Sequence, residues 1–188
     1  MPRMKQNDKR DRLVEAADQL IYEKTFHTTT LADIAKMADV PLGNVYYYFK
    51  TKEAIMEAVI AKRADEWRTL FSEWEQKTEV KDRLKSLIQH TLAQSENLAR
   101  YGCTMGSLCQ ELSKQGGAVA SGAAKLMNDV LEWIEQQFKN LGKEQHAKSH
   151  AEHLLAGLQG VSLLTLTFKE PAYLQRQSES LEEWLNTI

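Results

Sequence analysis

The segment VPLGNVYYYFKTK, residues 40–52, concentrates side chains that bind phosphates and nucleotide bases. Tyrosine hydroxyls and lysine ammonium groups donate hydrogen bonds to phosphate oxygens, and an asparagine amide pairs with the edges of bases. Val45 and Phe49 stand four residues apart, so they would lie on one side of a helix and pin it to its neighbours. The outward side is then left to Leu42, Gly43, Asn44, Tyr46, Tyr47 and Tyr48. This pattern favours a helix that enters a groove of DNA, whereas a cover for a core edge or a protein interface is the alternative.

Two cysteines, Cys103 and Cys109, provide a second kind of chemistry. Only two cysteines in 188 residues indicate reduced thiols and not a disulfide scaffold. Cys103 directly follows Gly102 and precedes a predicted short helix, where a helix N-terminus favours the thiolate form of cysteine. Cys103 is therefore a candidate thiol sensor, and a buried, unreactive cysteine is the alternative. The sequence leaves open whether Cys103 or Cys109 is redox-active.

Three histidines, His146, His150 and His153, recur on one face of a predicted helix. Their spacing resembles a metal site only loosely, so we favour a solvated polar face and predict neither a metal nor a cofactor. Gly-rich phosphate loops, GxSxG nucleophile motifs and HExxH motifs are missing from the sequence. We therefore predict no catalytic residues and no enzymatic activity, and a cysteine-dependent enzyme that uses Cys103 is the rival hypothesis.

The composition predicts an all-α protein with a basic head and an acidic body. Hydrophobic residues make up 43% of the chain, and the sequence has only nine glycines and three prolines. The net charge is −2, but residues 1–52 hold nine Lys or Arg and seven Asp or Glu, and residues 53–188 hold fifteen and nineteen. This asymmetry suits a DNA-binding head. Because we find no signal peptide and no apolar run of membrane-spanning length, we predict a cytoplasmic protein with no membrane partner.

The elements that position the tyrosine segment are predicted to form a helix-turn-helix. The helix before the segment has one apolar face, made by Leu31, Ile34, Ala35 and Ala38. Thr30 followed by Asp33 is a capping-box-like start, and Asp39-Val40-Pro41 ends the helix because the residue before a proline avoids helical dihedrals. With a first helix over residues 8–24, these elements predict a three-helix helix-turn-helix DNA-binding domain over residues 1–52.

Residues from about 10 to 60 resemble the N-terminal domain of TetR-family transcriptional regulators. The resemblance rests on the runs LVEAA from Leu13, TTTLADIA from Thr28 and GNVYYYF from Gly43, followed by TKEA from Thr51. It implies a ligand-responsive, homodimeric regulator, most often a repressor, that binds a palindromic double-stranded operator. The residues that it assigns to DNA are Thr28, Thr29, Thr30, Leu42, Gly43, Asn44, Tyr46, Tyr47 and Lys52. The family often has a basic or hydroxyl residue in place of Leu42 and a histidine in place of Tyr48. The difference at Leu42 means that the resemblance does not fix the base specificity of this chain.

Residues 53–188 are predicted to form a helical effector-binding and dimerisation domain. Helical patterns extend over residues 51–76, 80–101, 107–114, 123–141 and 146–168, and a last helix follows Pro171. The run LLAGLQGVSLLTLTF from Leu154 is apolar on all sides but too short to cross a bilayer, so one side needs a partner. We therefore predict a homodimer through the last two helices, which the family resemblance also implies.

An effector pocket is predicted where large apolar side chains of this domain meet a few polar ones. The candidate ligand-binding residues are Trp67, Phe71, Tyr101, Met105, Leu108, Met127, Trp133 and Gln159. A mostly apolar lining favours a small apolar or aromatic effector, and ordinary core packing is the alternative. Some TetR-like regulators carry a cysteine after a glycine at this place and sense electrophiles or oxidants. A thiol-based regulator is thus one alternative function, and a helical ligand-binding protein without DNA binding is another.

Overall fold

The structure, a computed structural model, describes residues 3–114 and 116–188. All regular secondary structure in these ranges is helical, which confirms the predicted all-α fold class. The helices are α1 (Arg3–Glu23), α2 (Leu31–Met37), α3 (Leu42–Tyr48), α4 (Lys52–Trp74), α5 (Val80–Leu92), α6 (Ser95–Tyr101), α7 (Thr104–Ser113), α8 (Gly117–Asn140), α9 (Ala147–Phe168) and α10 (Ala172–Thr187). Over the described ranges, no helix combines the length and the apolar character that crossing a membrane requires.

The chain divides into two compact units, which we call the N-terminal unit and the C-terminal unit. The N-terminal unit contains the residues up to Asp65 together with Leu108–Leu126, and the C-terminal unit contains Glu66–Ser107 and Met127–Ile188. These boundaries differ from the predicted division after residue 52. The predicted division separates DNA binding from effector binding and dimerisation, and it stays a prediction.

One hydrophobic core holds the N-terminal unit together. Leu13 and Ala17 of α1, Ile34 of α2, Val45 of α3 and Ile55 of α4 are fully or almost fully buried in it. Burial of a leucine, isoleucine or valine side chain contributes roughly 1.5–3 kcal/mol. The core therefore fixes the helices that carry the outward-facing residues.

A buried ion pair links α1 to α4 in the same unit. Asp18 Oδ1 lies 2.6 Å from Arg63 Nη2 and accepts from Arg63 Nε at 2.8 Å, and Arg63 is only 5% exposed. Lys62 Nζ contacts the other oxygen of Asp18 at 2.7 Å.

Helix α1 begins at Arg3, five residues before the predicted start at residue 8.

In the C-terminal unit, α9 and α10 pack against each other and α10 also packs against α5. Leu154 of α9 and Leu174 and Leu185 of α10 are completely buried. Helix α9 also has an outer face that the described residues do not cover. Its exposed residues in the apolar run are Ala156, Gly160, Leu163, Leu164, Thr167 and Phe168.

The single helix predicted over residues 80–101 is wrong, because the structure divides it into α5 and α6. At the break, the N–H of Gln94 donates to the carbonyl of Thr91, three residues back, which tightens the last turn of α5. The residues around the break include neither glycine nor proline, so the sequence carries no local signal for it.

Candidate nucleic-acid interface and internal cavity

Helix α2 begins with the predicted capping box. The N–H of Asp33 donates to Thr30 Oγ1 at 3.1 Å, and the N–H of Thr30 donates back to Asp33 Oδ2 at 3.0 Å. The hydroxyl of Thr30 also donates to that carboxylate at 2.6 Å. The hydroxyl bond first, and the backbone bond second, lower the pKa of Asp33 below its ordinary value. The start of α2 is therefore fixed by its own first turn.

A tight turn sets the direction of α3. Asp39 adopts a left-handed conformation with φ 51°, and the N–H of Val40 donates to the carbonyl of Ala35 at 3.0 Å. Val40 is 4% exposed, so the turn is anchored in the core of the unit. Pro41 then caps the N-terminus of α3, where its missing N–H costs no hydrogen bond.

Helix α3 has one buried side and one exposed side, as its sequence predicts. Val45 is completely buried and Phe49, directly after the helix, is 4% exposed. The exposed side presents Leu42, Gly43, Asn44, Tyr46 and Tyr47, and Tyr47 is the most open of these large side chains at 66%. Tyr48 is half-buried and its ring meets that of Tyr47 edge-on at 5.0 Å between centroids. The outward-facing set predicted for α3 is therefore presented together, except that Tyr48 packs partly against the core.

The three threonines before α2 do not share one environment. Thr28 and Thr30 are exposed, so their hydroxyls lie at the surface as predicted. Thr29 does not fit the predicted role, because its side chain is buried and its hydroxyl donates to the carbonyl of Thr25 at 2.7 Å. In this conformation Thr29 supports the loop and is not presented to a ligand.

Lys52 lies at the start of α4, where it binds the backbone. Its Nζ donates to the carbonyls of Phe26 and His27 at 2.8 and 3.1 Å, and it lies 4.5 Å from the centroid of the Phe26 ring. An ammonium group has three donors, so one N–H of Lys52 is left for an additional acceptor such as a phosphate oxygen.

A small, partly open cavity of about 40 Å³ lies within the C-terminal unit. Its lining comprises Trp67, Leu87, His90, Thr91, Gln94, Leu98, Cys103, Thr104, Met105, Val130, Leu155, Leu158, Gln159 and Ser162. Among the residues that the structure describes, no Asp, Glu, Lys or Arg side chain lines this cavity. His90 is hydrogen-bonded to Gln94 (2.8 Å between the two Nε2 atoms), and burial lowers the pKa of His90. The cavity is therefore suited to an uncharged molecule.

Three of the eight predicted ligand-binding residues, Trp67, Met105 and Gln159, line this cavity, and so does Cys103. Phe71 and Trp133 stack on each other instead, with centroids 4.6 Å apart. Leu108 belongs to the core of the N-terminal unit. Half-buried Tyr101 and Met127 are not among the lining residues.

Several lining residues were not predicted from the sequence, among them His90, Thr91, Gln94 and Thr104. The only available signal was that His90 and Thr91 interrupt the apolar pattern of α5. That signal also fits a surface position, so it does not identify a cavity.

The two cysteines have different surroundings, and both are free thiols. Cys103 Sγ accepts from the N–H of Gly106 at 3.3 Å and faces Gln159 Nε2 at 3.6 Å. Gly102 holds the preceding turn with φ 85°, where an added Cβ would lie 2.9 Å from the Leu166 side chain. Cys109 instead donates to the carbonyl of Ala123 at 3.2 Å and packs against the core of the N-terminal unit.

The three histidines at the start of α9 pack with aromatic rings. His153 lies 4.5 Å from Trp184, and His150 lies 5.2 Å from Phe138 between ring centroids. Burial, followed by the charges of nearby histidines and a lysine, lowers the pKa of His150. Within the part of the chain that the structure describes, no three His, Cys, Asp or Glu side chains come together in a way that could hold a metal ion.

A capped helix, a tight turn and a second helix with a buried and an exposed side form the helix-turn-helix of DNA-binding transcription regulators. Residues 13–59 match the family model described as "Bacterial regulatory proteins, tetR family". The transcriptional repressor NemR of Escherichia coli (strain K12) is 27% identical over 183 residues, which cover 96% of this chain and 92% of NemR. The transcriptional repressor DhaR of Mycobacterium sp. (strain GP1) is 25% identical over 189 residues, covering 95% and 89%.

Residues 13–59 therefore form a DNA-binding domain of the TetR family, and the likeness to transcriptional repressors extends along nearly the whole chain. A crystal structure of the reduced form of E. coli NemR has a TM-score of 0.80 at 24% identity, covers 93% of this chain and 96% of that one, and so supports the fold. The predicted classes of transcription regulation, DNA binding and repression are confirmed, because the relatives are repressors. The same relatives are transcription regulators and not enzymes, which favours the expected lack of catalysis.

Proposed function

We propose that this repressor is a homodimer whose two α3 helices bind successive major grooves of a palindromic operator, and that a small uncharged effector releases it. The observation that carries the proposal is the exposed side of α3. Gly43, Asn44, Tyr46 and Tyr47 are presented there, while Val45 fixes the helix from behind. An added Cβ at Gly43 meets nothing within 4 Å, so the space in front of the helix is open to a nucleic-acid backbone.

Each DNA contact follows from the chemistry of the exposed residues. Asn44 suits the edge of a base, Leu42 suits a thymine methyl group, and the hydroxyls of Tyr46 and Tyr47 suit phosphate oxygens. Exposed Thr28 and Thr30 add hydroxyls, and Lys52 adds its remaining N–H.

The homodimer is proposed from the uncovered side of α9. Leu163, Leu164 and Phe168 are 53%, 44% and 57% exposed and lie within two turns of one helix. Monomeric proteins rarely leave such clustered apolar side chains in water. A two-fold axis would cover this surface with its own copy and would place two α3 helices on the two halves of a palindrome.

The effector site is proposed to be the cavity of the C-terminal unit. Its lining lacks formal charge and joins large apolar side chains to a few polar ones, which is the usual composition of a small-molecule site. A charged effector would lose its hydration there without gaining a counter-charge. Release of DNA then requires only that the effector binds two conformations unequally.

Thiol control through Cys103 is a second candidate function, favoured by two specific observations. Cys103 lines the cavity, and two N–H groups, of Gly106 and Gln159, point towards its sulfur, where they would stabilise a negative charge. With an α,β-unsaturated carbonyl compound, the Cys103 proton would pass to solvent and the sulfur would bond to the β-carbon. The electron pair of the C=C bond would take up a proton at the α-carbon.

DNA binding is tested by anisotropy titration of duplexes selected from a random pool. Asn44→Ala should weaken binding at one position of the half-site, and Tyr47→Phe should weaken binding to all sequences alike. Tyr101→Phe, on α6 and outside α3 and the proposed α9 contact, is the matched control and should leave the affinity unchanged. Equal affinities of the Asn44 and Tyr47 variants and the wild type would refute the assigned surface.

Effector binding and thiol control are separated by one experiment on Cys103. The selected duplex is bound, the protein is treated with a mild electrophile, and adducts are located by mass spectrometry. Thiol control predicts an adduct at Cys103 together with DNA release, and neither in Cys103→Ser. Release that persists in Cys103→Ser favours reversible binding in the cavity, and an unmodified Cys103 refutes thiol control.

A further inference from the structure

The loop between α1 and α2 is bound by a carboxylate from a distant part of the chain. Glu111, on α7, accepts from two successive backbone N–H groups: Oε2 from Phe26 at 3.0 Å and Oε1 from His27 at 2.7 Å. One carboxylate therefore uses both oxygens on neighbouring peptide groups that are 84 and 85 residues away in sequence. Hydrogen bonds to an ionised carboxylate are stronger than those between neutral groups.

Lys52 binds the carbonyl groups of the same two residues. Its ammonium group donates to the carbonyls of Phe26 and His27 at 2.8 and 3.1 Å. Both N–H groups and both carbonyls of this dipeptide thus have charged partners, although loop residues usually leave such groups to water. We call Glu111 and Lys52 the loop clamp.

Local hydrogen bonds connect the threonines before α2 to this loop. The hydroxyl of Thr29 donates to the carbonyl of Thr25, and Thr28 N–H donates to the hydroxyl of Thr25. Phe26, between them, is 4% exposed and anchors the loop in the core. The position of the loop thereby determines where the exposed hydroxyls of Thr28 and Thr30 lie.

We propose that Glu111 is a positioning residue for DNA binding: its carboxylate fixes the Phe26–His27 loop and, through it, the phosphate-binding hydroxyls before α2. This inference rests on the proposed function. Glu111 is half-buried and has the same sign of charge as phosphate, so it acts through the loop and does not contact DNA.

A purely electrostatic role and a loop-positioning role of Glu111 predict opposite changes in DNA affinity when Glu111 is neutralised. Removing a negative charge raises the affinity for DNA if only long-range electrostatics matter. Removing the second acceptor oxygen frees the loop, so that DNA binding must order it again, which lowers the affinity. The direction of the change therefore distinguishes the two roles.

Glu111→Gln keeps the size of the side chain and removes its charge and one acceptor. We expect operator affinity to fall about tenfold, which corresponds to about 1.4 kcal/mol, with an unchanged salt slope because no phosphate contact is lost. Glu57→Gln, at an exposed position of α4, is the control for charge and should leave the affinity equal or slightly higher. Glu111→Asp keeps the carboxylate and should recover part of the loss.

Amide hydrogen exchange of Phe26 and His27 tests the loop clamp without DNA. Both amides should exchange faster in Glu111→Gln than in the wild type and in Glu57→Gln, while the amides of Val45 and Ile55 keep their protection. Unchanged exchange at Phe26 and His27, or an affinity that rises in Glu111→Gln, would overturn the proposal. If wild-type protein binds no duplex, the proposed function fails, whereas the exchange rates still decide whether the clamp exists.

Discussion

Replacing Leu164 with lysine tests the proposed dimer on the exposed apolar face of α9. Leu164 is 44% exposed in the single chain and lies one turn from Phe168, which is 57% exposed. If a second copy covers this surface, the lysine places an ammonium group in an apolar contact. If water covers it, lysine is harmless.

The expected magnitude follows from the exposed fraction of Leu164. Complete burial of a leucine contributes roughly 1.5–3 kcal/mol, so covering a little under half of it contributes about 1 kcal/mol. A two-fold axis brings in the residue twice, which makes the loss about 2 kcal/mol. The dimer should therefore dissociate at least about 30-fold more readily, before the cost of dehydrating two ammonium groups is added.

Sedimentation velocity over a concentration series measures this dissociation constant directly. Met37→Lys is the matched control, because Met37 is an equally exposed (42%) apolar side chain on α2, away from the proposed contact. We expect Met37→Lys to dimerise like the wild type and Leu164→Lys to shift to monomer. Equal dissociation constants for the two variants would refute the assignment of this surface.

Three further predictions concern charge, stability and pH. Lys52→Ala should weaken binding to all duplexes alike and lower the salt slope by about 1; titrations at several salt concentrations check this, and an unchanged slope contradicts a phosphate contact. Asp18→Asn should lower the free energy of unfolding by about 3 kcal/mol in urea, because it removes the carboxylate bonded to buried Arg63; a loss below about 1 kcal/mol contradicts this. Burial lowers the pKa of His90 and His150, so their stabilising contribution is complete above the ordinary value of 6.5 and is lost as pH falls below it. The free energy of unfolding should differ less between pH 8 and pH 5 in a variant with glutamine at both positions than in the wild type. An equal difference in the two proteins refutes the reasoning.

Local sequence rules predicted the helix-turn-helix in detail. Thr30 and Asp33 cap α2, and Val45 and Phe49 are buried, because caps and helical periodicity depend on residues no more than four apart. Thr29 departs from the prediction although the hydrogen bond of its hydroxyl is equally local. Its burial depends on a hydrogen bond to Thr25 across an irregular loop, which no periodic pattern indicates.

The cavity could be predicted only in part, because it depends on which sides of six helices meet. Trp67, Met105 and Gln159 were predicted to line it and do, whereas Phe71 and Trp133 satisfy each other by stacking. Spacing along one helix distinguishes its faces, but it does not show which aromatic side chains will find each other. The loop clamp could not be predicted for the same reason, because 84 residues separate Glu111 from His27.

The most direct test of the account is the sequence that the purified wild-type protein selects from random DNA duplexes at low salt. Two α3 helices related by a two-fold axis should enrich an inverted repeat whose half-site centres are about 10–10.5 base pairs, or a multiple of that, apart. Enrichment of an unrepeated site, or no enrichment at all, would contradict the claim that paired α3 helices read DNA.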